Sequence, residues 1–248
     1  MLSPRIVDRT YAIAKLRFRN IEPTTLNNLT LRWHRRLLNL CETPVDIPNN
    51  MLDRVKLKAT FNTDLLKCDI ANLNDDDWVR HFNTQYYTGM WAVVPLRSVG
   101  GSSKRIYPDP TSDDFCDTEI LNRCPGVKAV LPFFQCELRT VRFLKLTAGS
   151  GIREHKDDNL AHEDGMVRFH IPVITNPDVE FFLNRERVNM AEGECWYLDF
   201  NRPHYVDNRS TEDRIHLVVD CYVNDWVTSL LLDNSSTTPD HSRSPPQS

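Results

Sequence analysis

The sequence predicts a mainly β protein, a sandwich or barrel, that follows a mixed region containing helices. From about residue 135 onward, short apolar segments recur at regular intervals and are separated by Gly, Asn, Asp and Pro. This is the pattern of strands joined by turns. Before that point, one segment has apolar residues at helical spacing. The chain has 248 residues, 40% of them hydrophobic, which is enough to bury one sizeable core or two small ones.

The first half of the chain mixes helix and strand patterns. Leu26–Leu40 places its apolar residues on one face of a helix. The acidic run Asn74–Asp77 is typical of a helix start, because short polar side chains cap free N–H groups. Trp91–Leu96 is a candidate buried strand. Asp117–Cys124 predicts a short helix that ends at Pro125-Gly126.

The second half predicts a series of strands, with a turn at Gly149–Gly151. The tail Asn234–Ser248 is rich in Ser, Thr and Pro and offers little to bury, which predicts disorder. We therefore expect one domain over residues 1–233, with a helical or mixed part over 1–134 and a β core over 135–233. The predicted strands are Val141–Leu146, Val167–Val173, Val179–Leu183, Cys195–Phe200 and Ile215–Val223.

Charge and composition argue against several classes of protein. The net charge of -4, with no basic stripe, gives no sign of a nucleic-acid partner. Apolar runs such as Leu217–Val219 are too short to span a bilayer, and the N-terminus lacks the apolar core of a signal peptide. The seven cysteines form no CxxC pair, which predicts reduced thiols in a cytoplasmic protein without a membrane partner. The oligomeric state stays open.

Three residues form a candidate metal site. His155 and Asp157 lie two apart, a spacing that points both side chains the same way on a strand, and His204 follows a turn-like segment that could return the chain to them. Two imidazoles and one carboxylate are the ligand set that binds non-haem Fe(II) and leaves other positions open. The alternative is a polar loop, because His and Asp are common in loops.

Two predicted strands carry an Arg-x-His pair on one face: Arg214 with His216, and Arg168 with His170. The guanidinium fork of Arg214 suits a carboxylate of a dicarboxylic co-substrate, and an exposed salt bridge is the alternative. We interpret the two pairs together as the walls of an anion pocket.

A substrate that carries a carboxylate would need a further cation, for which Arg168 and Arg97 are the candidates. Trp91 could wall the substrate pocket, with core packing as its alternative.

These residues lie where the chain resembles a known family, the aspartyl/asparaginyl β-hydroxylases, which are iron- and 2-oxoglutarate-dependent oxygenases and include bacterial free-proline hydroxylases. The matching segments are LRTVRFLKLTAGSGIREHKDD, MVRFHIPV and MAEGECWYLDFNRPHYVDNRSTEDRIHLVVD. The resemblance implies a double-stranded β-helix, a jelly-roll or cupin-like fold, with flanking helices.

The resemblance also implies a role for each site residue. His155, Asp157 and His204 would bind Fe(II), and Arg214 would bind the distal carboxylate of 2-oxoglutarate. The resemblance places His170 near the other carboxylate of this co-substrate, and Arg168 near the co-substrate or the substrate carboxylate. Animal members that modify epidermal-growth-factor-like domains lack the carboxylate ligand, so Asp157 makes this chain similar to the bacterial branch.

Three functions follow as hypotheses. The first is a dioxygenase that hydroxylates an unactivated C–H bond of a free amino acid or a small amino-acid derivative. The second is the same chemistry on an Asp, Asn or Pro residue within a peptide or protein. The third is a metal-binding cupin-type module without catalysis. Arg214 favours the first two, because a plain cupin does not need a carboxylate clamp at that position.

Overall fold

The computed structural model describes residues 53–107 and 112–235. The predicted helix over Leu26–Leu40 and most of the predicted tail lie outside these residues. In the described part of the chain, no helix is both long and apolar enough to cross a bilayer.

The described residues form short helices and a larger number of strands. The α-helices are α1 Thr63–Ala71, α2 Pro125–Val130 and α3 Asp225–Ser235, and 3-10 helices cover Asp75–Asp77, Thr84–Tyr86, Glu119–Arg123, Leu131–Phe133 and His162–Asp164. The strands are β1 Arg54–Thr60, β2 Val79–Arg80, β3 Tyr87–Thr88, β4 Trp91–Val99, β5 Phe115–Asp117, β6 Leu138–Leu146, β7 Gly151–His155, β8 Met166–Ile174, β9 Val179–Leu183, β10 Glu186–Arg187, β11 Glu194–Leu198, β12 His204–Asn208 and β13 Arg214–Tyr222.

The strands form two antiparallel sheets. The larger has eight strands in the order β1-β11-β8-β13-β6-β4-β2, with β5 paired to β4, and the smaller has five in the order β10-β9-β12-β7-β3. From β6 to β13 the chain passes repeatedly from one sheet to the other. This connectivity is that of a double-stranded β-helix, so the predicted fold class is confirmed.

Two apolar clusters hold the layers together. The first packs one face of the larger sheet against the helices and joins Leu217 and Val219 of β13 to Leu66, Val127 and Val227 of the three α-helices. The second lies between the sheets, where Leu146 and Leu198 of the larger sheet meet Leu183 and Val206 of the smaller. Apolar side chains therefore line most of the space between the sheets, and polar side chains line the rest.

The strands predicted in the second half are present with small shifts at their ends, and β9 has the predicted bounds. The short strands β7 and β12 were not predicted, because five residues flanked by polar loops give too little alternation to recognise.

The predicted short helix is present as a 3-10 helix over Glu119–Arg123 that ends before Pro125, but Pro125 also begins α2, which was not predicted. Proline suits the first turn of a helix, where its missing N–H has no partner to lose. Asn234 and Ser235, the first two residues of the predicted tail, belong to α3, and Asn234 is buried, with its Oδ1 accepting a hydrogen bond from Lys58 N at 2.8 Å.

One glycine is required by a close approach between two turns. Gly89 has a φ of +75°, and a Cβ at this position would lie 2.0 Å from Ser150 Oγ. Gly149 has a similar φ of +68°, but a Cβ there would meet nothing within 4 Å. A comparison of alanine substitutions at the two positions therefore separates the free-energy cost of a left-handed backbone from the cost of the steric clash.

We expect Gly149→Ala to lower the free energy of unfolding by about 1–2 kcal/mol, the cost of a left-handed residue. Gly89→Ala should cost about 1–3 kcal/mol more, because Ser150 must also move. Chemical denaturation of both variants measures the difference. Equal losses would contradict the clash.

Candidate active site

The predicted metal ligands come together where two short strands meet. His155 is the last residue of β7, His204 is the first of β12, and the two are register partners. Their ring centroids lie 4.2 Å apart. Asp157 follows His155 by two residues, and the three residues offer ligand atoms that all lie within 4.8 Å of one another. Strand pairing therefore assembles the site from two distant segments.

Backbone carbonyls orient both histidine rings. His155 Nδ1 lies 2.8 Å from Arg153 O, and His204 Nδ1 lies 3.1 Å from Arg202 O. A carbonyl oxygen only accepts, so each Nδ1 carries the hydrogen and each Nε2 keeps its lone pair. This is the arrangement that metal-binding histidines use. The donor set and its orientation thus fit a divalent transition metal such as Fe(II).

Electrostatics keep the ligands in the protonation states that a metal requires. Burial, and then the neighbouring His155, lower the pKa of His204 to about 4. Burial opposes ionisation of Asp157, but Arg168 and the two histidines outweigh it and hold the pKa of Asp157 below its usual value. At neutral pH His204 is therefore neutral and Asp157 is ionised, so neither has to lose a proton to bind a cation.

A row of rings connects this triad to the second predicted site. The His204 and Phe200 ring centroids are 4.6 Å apart, those of Phe200 and His170 are 5.1 Å apart, and those of His170 and His216 are 5.5 Å apart. Arg214 Nη2 then lies 2.9 Å from His216 Nδ1. The structure therefore places His170 between the triad and Arg214, inside the β-helix.

Arg214 is a buried cation that no carboxylate of the described residues neutralises. Its exposed fraction is 2% and its Nε has no hydrogen-bond partner. Among the described residues, no carboxylate forms an ion pair with it, and burial lowers its pKa to about 9. Arg214 and His216 line a cavity of about 440 Å³ with Val179, Phe181 and Val188. A buried charge left without a partner is costly, so this cavity is suited to an anion.

His170 and His216 are both neutral, because burial and then the charge of Arg214 hold the pKa of each well below its ordinary value. Since Arg214 can only donate, His216 Nδ1 accepts, and the contact of 3.2 Å between the two Nδ1 atoms places a hydrogen on His170 Nδ1. His170 Nε2 therefore keeps its lone pair and can only accept, and no described residue donates to it. The ring of His170 thus has one unused acceptor.

Arg168 does not lie on the wall of an open pocket, because its guanidinium binds two carboxylates. Its Nη1 donates to Asp157 Oδ2 at 2.6 Å, and its Nε and Nη2 donate to Asp220 at 2.6 and 3.1 Å. It is therefore already bound to the triad's own carboxylate. Any carboxylate of a co-substrate or substrate would have to share this guanidinium.

The two predicted substrate residues are separated from each other. Arg97 donates to Asp117 Oδ1 at 2.7 Å and to Leu138 O at 3.2 Å, both at the β5 edge of the larger sheet. Trp91 stacks on His81 with ring centroids 3.7 Å apart and packs beside the cluster between the sheets. The structure thus leaves Trp91 near the triad region and gives Arg97 an ion pair at the edge.

Sequence reasoning missed three polar residues of the same interior. Asp220 and Arg142 are buried and pair at 2.9 Å, and His81 stacks between Trp91 and Phe82. Burial, followed by the charge of Arg142, lowers the pKa of His81 to about 4, so its ring is neutral. A charged residue at a core-facing position of an apolar strand was the available signal for Asp220 and Arg142.

One family model matches most of the described chain, and several solved structures resemble the fold. A model of the aspartyl/asparaginyl beta-hydroxylase family matches residues 60–223. A prolyl-4-hydroxylase from Pseudomonas putida is 15% identical, with a TM-score of 0.43 over 69% of this chain and 92% of the other. A collagen prolyl hydroxylase of Paramecium bursaria Chlorella virus-1, solved with 2-oxoglutarate, is 7% identical, with a TM-score of 0.44 over 71% and 100%. At such scores these structural likenesses say nothing about activity, and the family match stands by itself.

The geometry predicts that His204→Ala weakens Co(II) binding by more than roughly 100-fold, since loss of a mere supporting hydrogen bond already costs about 10- to 100-fold. Isothermal titration of metal-free protein measures this. His162→Ala is the control, because His162 is a half-buried histidine that contacts Thr228 Oγ1 at 2.9 Å outside the triad. Equal affinities of the two variants would contradict the site.

Proposed function

Because this chain belongs to the aspartyl/asparaginyl β-hydroxylase family and is a 2-oxoglutarate-dependent hydroxylase, we propose that it uses Fe(II) to hydroxylate an unactivated C–H bond of a free amino acid or a small amino-acid derivative. A cytoplasmic location is part of this proposal.

The observation that carries the proposal is the buried charge of Arg214, which no carboxylate of the described residues pairs, at the cavity that Arg214 lines. A buried arginine without a carboxylate partner is suited to the distal carboxylate of 2-oxoglutarate, which its planar fork can bind with two parallel hydrogen bonds. An anion pocket in line with a metal triad is what this chemistry needs.

The protein's part in the reaction is to bind, orient and keep the site dry. His155, Asp157 and His204 would hold iron from one side, through the two Nε2 atoms and a carboxylate oxygen. When bound, iron together with 2-oxoglutarate and dioxygen would supply the oxidising chemistry, in which one oxygen atom of dioxygen ends in succinate, the other in the hydroxyl group of the product, and carbon dioxide is released. The two sheets exclude bulk water from the interior, and removal of hydrogen from a C–H bond requires no base from the protein.

Support for the individual substrate contacts differs from residue to residue. Trp91 and the neutral ring of His81 form a flat wall beside the triad region, which supports Trp91 as a substrate contact. Arg97 would first have to leave Asp117. Arg168 would have to share a guanidinium that already binds two carboxylates.

A second candidate, hydroxylation of a residue within a peptide or protein, is favoured by exposed aromatic side chains beside the triad. The Tyr86 ring lies 5.7 Å from His155, and the Phe82 and Tyr107 rings lie 5.7 Å apart. The three are 43%, 64% and 50% exposed. Exposed apolar surface next to a site is typical of an interaction surface, and a free amino acid would leave most of it uncovered.

The test of the proposed function is formation of succinate from 2-oxoglutarate by aerobic protein supplied with Fe(II). We expect Arg214→Met to raise the KM for 2-oxoglutarate by roughly 10- to 100-fold, because a charge-assisted hydrogen bond contributes about 1.5–3 kcal/mol. Arg209→Met is the matched control, since Arg209 is exposed and pairs with Asp207 on the surface. Metal binding without succinate would favour the non-catalytic cupin-type module. An unchanged KM would remove Arg214 from its assigned role.

Substrate size is tested by Phe82→Ala and Tyr107→Ala, with mass spectrometry of free amino acids and of peptides that contain Asp, Asn or Pro. If the substrate is a small amino acid, both variants should keep the KM of the unchanged protein. If it is a peptide, each should raise the peptide KM by roughly 3- to 30-fold, from about 1–2 kcal/mol of lost apolar contact. Leu65→Ala, an exposed apolar residue on α1, is the control.

A further inference from the structure

A chain of buried charges lies directly behind the carboxylate of the candidate metal site. Arg168 Nη1 donates to Asp157 Oδ2 at 2.6 Å. The other edge of the same guanidinium, Nε and Nη2, binds both oxygens of Asp220 at 2.6 and 3.1 Å. Arg168 therefore links a residue of the triad to a carboxylate on the central strand of the larger sheet.

Asp220 is itself fixed from the opposite side. Its Oδ2 accepts a hydrogen bond from Thr140 Oγ1 at 2.9 Å and another from Arg142 Nη2 at 2.9 Å. Asp220 is 1% exposed. Burial opposes its ionisation, but Arg142 and Arg168 outweigh burial and hold its pKa far below the ordinary value. The two arginines and the two carboxylates balance in charge, so the network is satisfied without any outside partner.

Strand register builds this network from residues that face each other directly. Asp220 on β13 is the register partner of Arg168 on β8 and of Thr140 on β6. The ring of Phe200 covers the guanidinium, with Arg168 Cζ 5.1 Å from the ring centroid. Hydrogen bonds at two edges and a ring on one face leave the planar guanidinium little freedom to turn.

We propose that Arg168, anchored by Asp220, is a positioning residue that holds Asp157 Oδ2 and thereby directs Asp157 Oδ1 to the metal. This inference rests on the proposed function and deepens it. Asp157 Oδ1 lies on the triad side, 3.7 Å from His155 Nε2. With Oδ2 occupied, Asp157 offers the metal one oxygen only. Arg168 acts on the metal through Asp157 and is not the carboxylate clamp of the co-substrate.

A lysine cannot replace Arg168 in this role. A lysine ammonium keeps the positive charge but lacks the rigid fork that binds two carboxylates in fixed directions. Arg168→Lys therefore separates charge from geometry. Asp220→Asn removes the anchor and leaves two buried arginines short of a counter-charge, so it also lowers stability. The two variants together keep the test valid if the second folds poorly.

The experiment measures Co(II) binding to metal-free protein in the absence of 2-oxoglutarate, by isothermal titration and by the visible absorption of the bound ion. We expect Arg168→Lys and Asp220→Asn each to weaken Co(II) binding by roughly 10- to 100-fold, as for other residues that support a metal ligand. The Co(II) absorption should also change in intensity, because an Asp157 with both oxygens free can bind through two.

Two matched controls separate this role from a general loss of stability. Arg139→Lys alters another buried arginine of the same sheet, whose guanidinium lies over Phe115 and Tyr222. Asp69→Asn alters an equally buried aspartate, whose oxygens accept from the N-terminal amides of α2. Both controls should bind Co(II) as tightly as the unchanged protein, even where thermal unfolding shows a lower Tm.

Each result has a definite meaning. If Arg168→Lys keeps the Co(II) affinity but weakens 2-oxoglutarate binding to the Co(II)-loaded protein, the positioning role is wrong and Arg168 is a co-substrate ligand. If the controls weaken Co(II) binding as much as Arg168→Lys does, the effect is general and the proposal is also wrong. If the unchanged protein and His155→Ala bind Co(II) equally, the proposed metal site itself has failed, which is a separate outcome.

Discussion

The alternation of side chains along β13 is the constraint on which the rest of the structure depends. This strand lies between β6 and β8 in the larger sheet, so both of its edges are paired. Leu217 and Val219 face the helices and fill the larger core, which fixes the register. The same register turns Arg214 and Asp220 toward the space between the sheets. Because Leu217 and Val219 are buried against the helices, Arg214 and Asp220 on the opposite face of the strand are buried between the sheets.

A charge forced into the interior needs a partner, and the two ends of β13 meet this need differently. Asp220 is satisfied by Arg142, Arg168 and Thr140, and forms a rigid, neutral network. Arg214 is not satisfied by any carboxylate among the described residues, and it faces a cavity. The first end is a paired network, and the second leaves a cation at the cavity. One strand therefore carries both a charge that is paired and a charge that the described carboxylates leave unpaired.

Much of the fold was predictable, because the alternation of apolar side chains identifies a long strand in the sequence, as it did for Val179–Leu183 and β13. The three candidate ligands could be chosen from the sequence because their residue types and order are specific to a small set of chemistries, and the structure brings them together. The short strands that place them, β7 and β12, were not predictable, since their pairing depends on partners far away in the chain. The start of α2 at Pro125 was missed because proline can end one helix and begin another.

By itself the sequence determined the fold class, the choice of His155, Asp157 and His204 as candidate ligands, and the position of Arg214 on the inner face of a strand. Only the tertiary structure decided the partners of Arg168, because a buried guanidinium pairs with the carboxylates that the fold places around it. Those carboxylates, Asp157 and Asp220, are 63 residues apart in the chain and meet only through strand register. The local sequence pattern determines on which face of a strand a residue lies. Burial and strand pairing determine which residue it contacts.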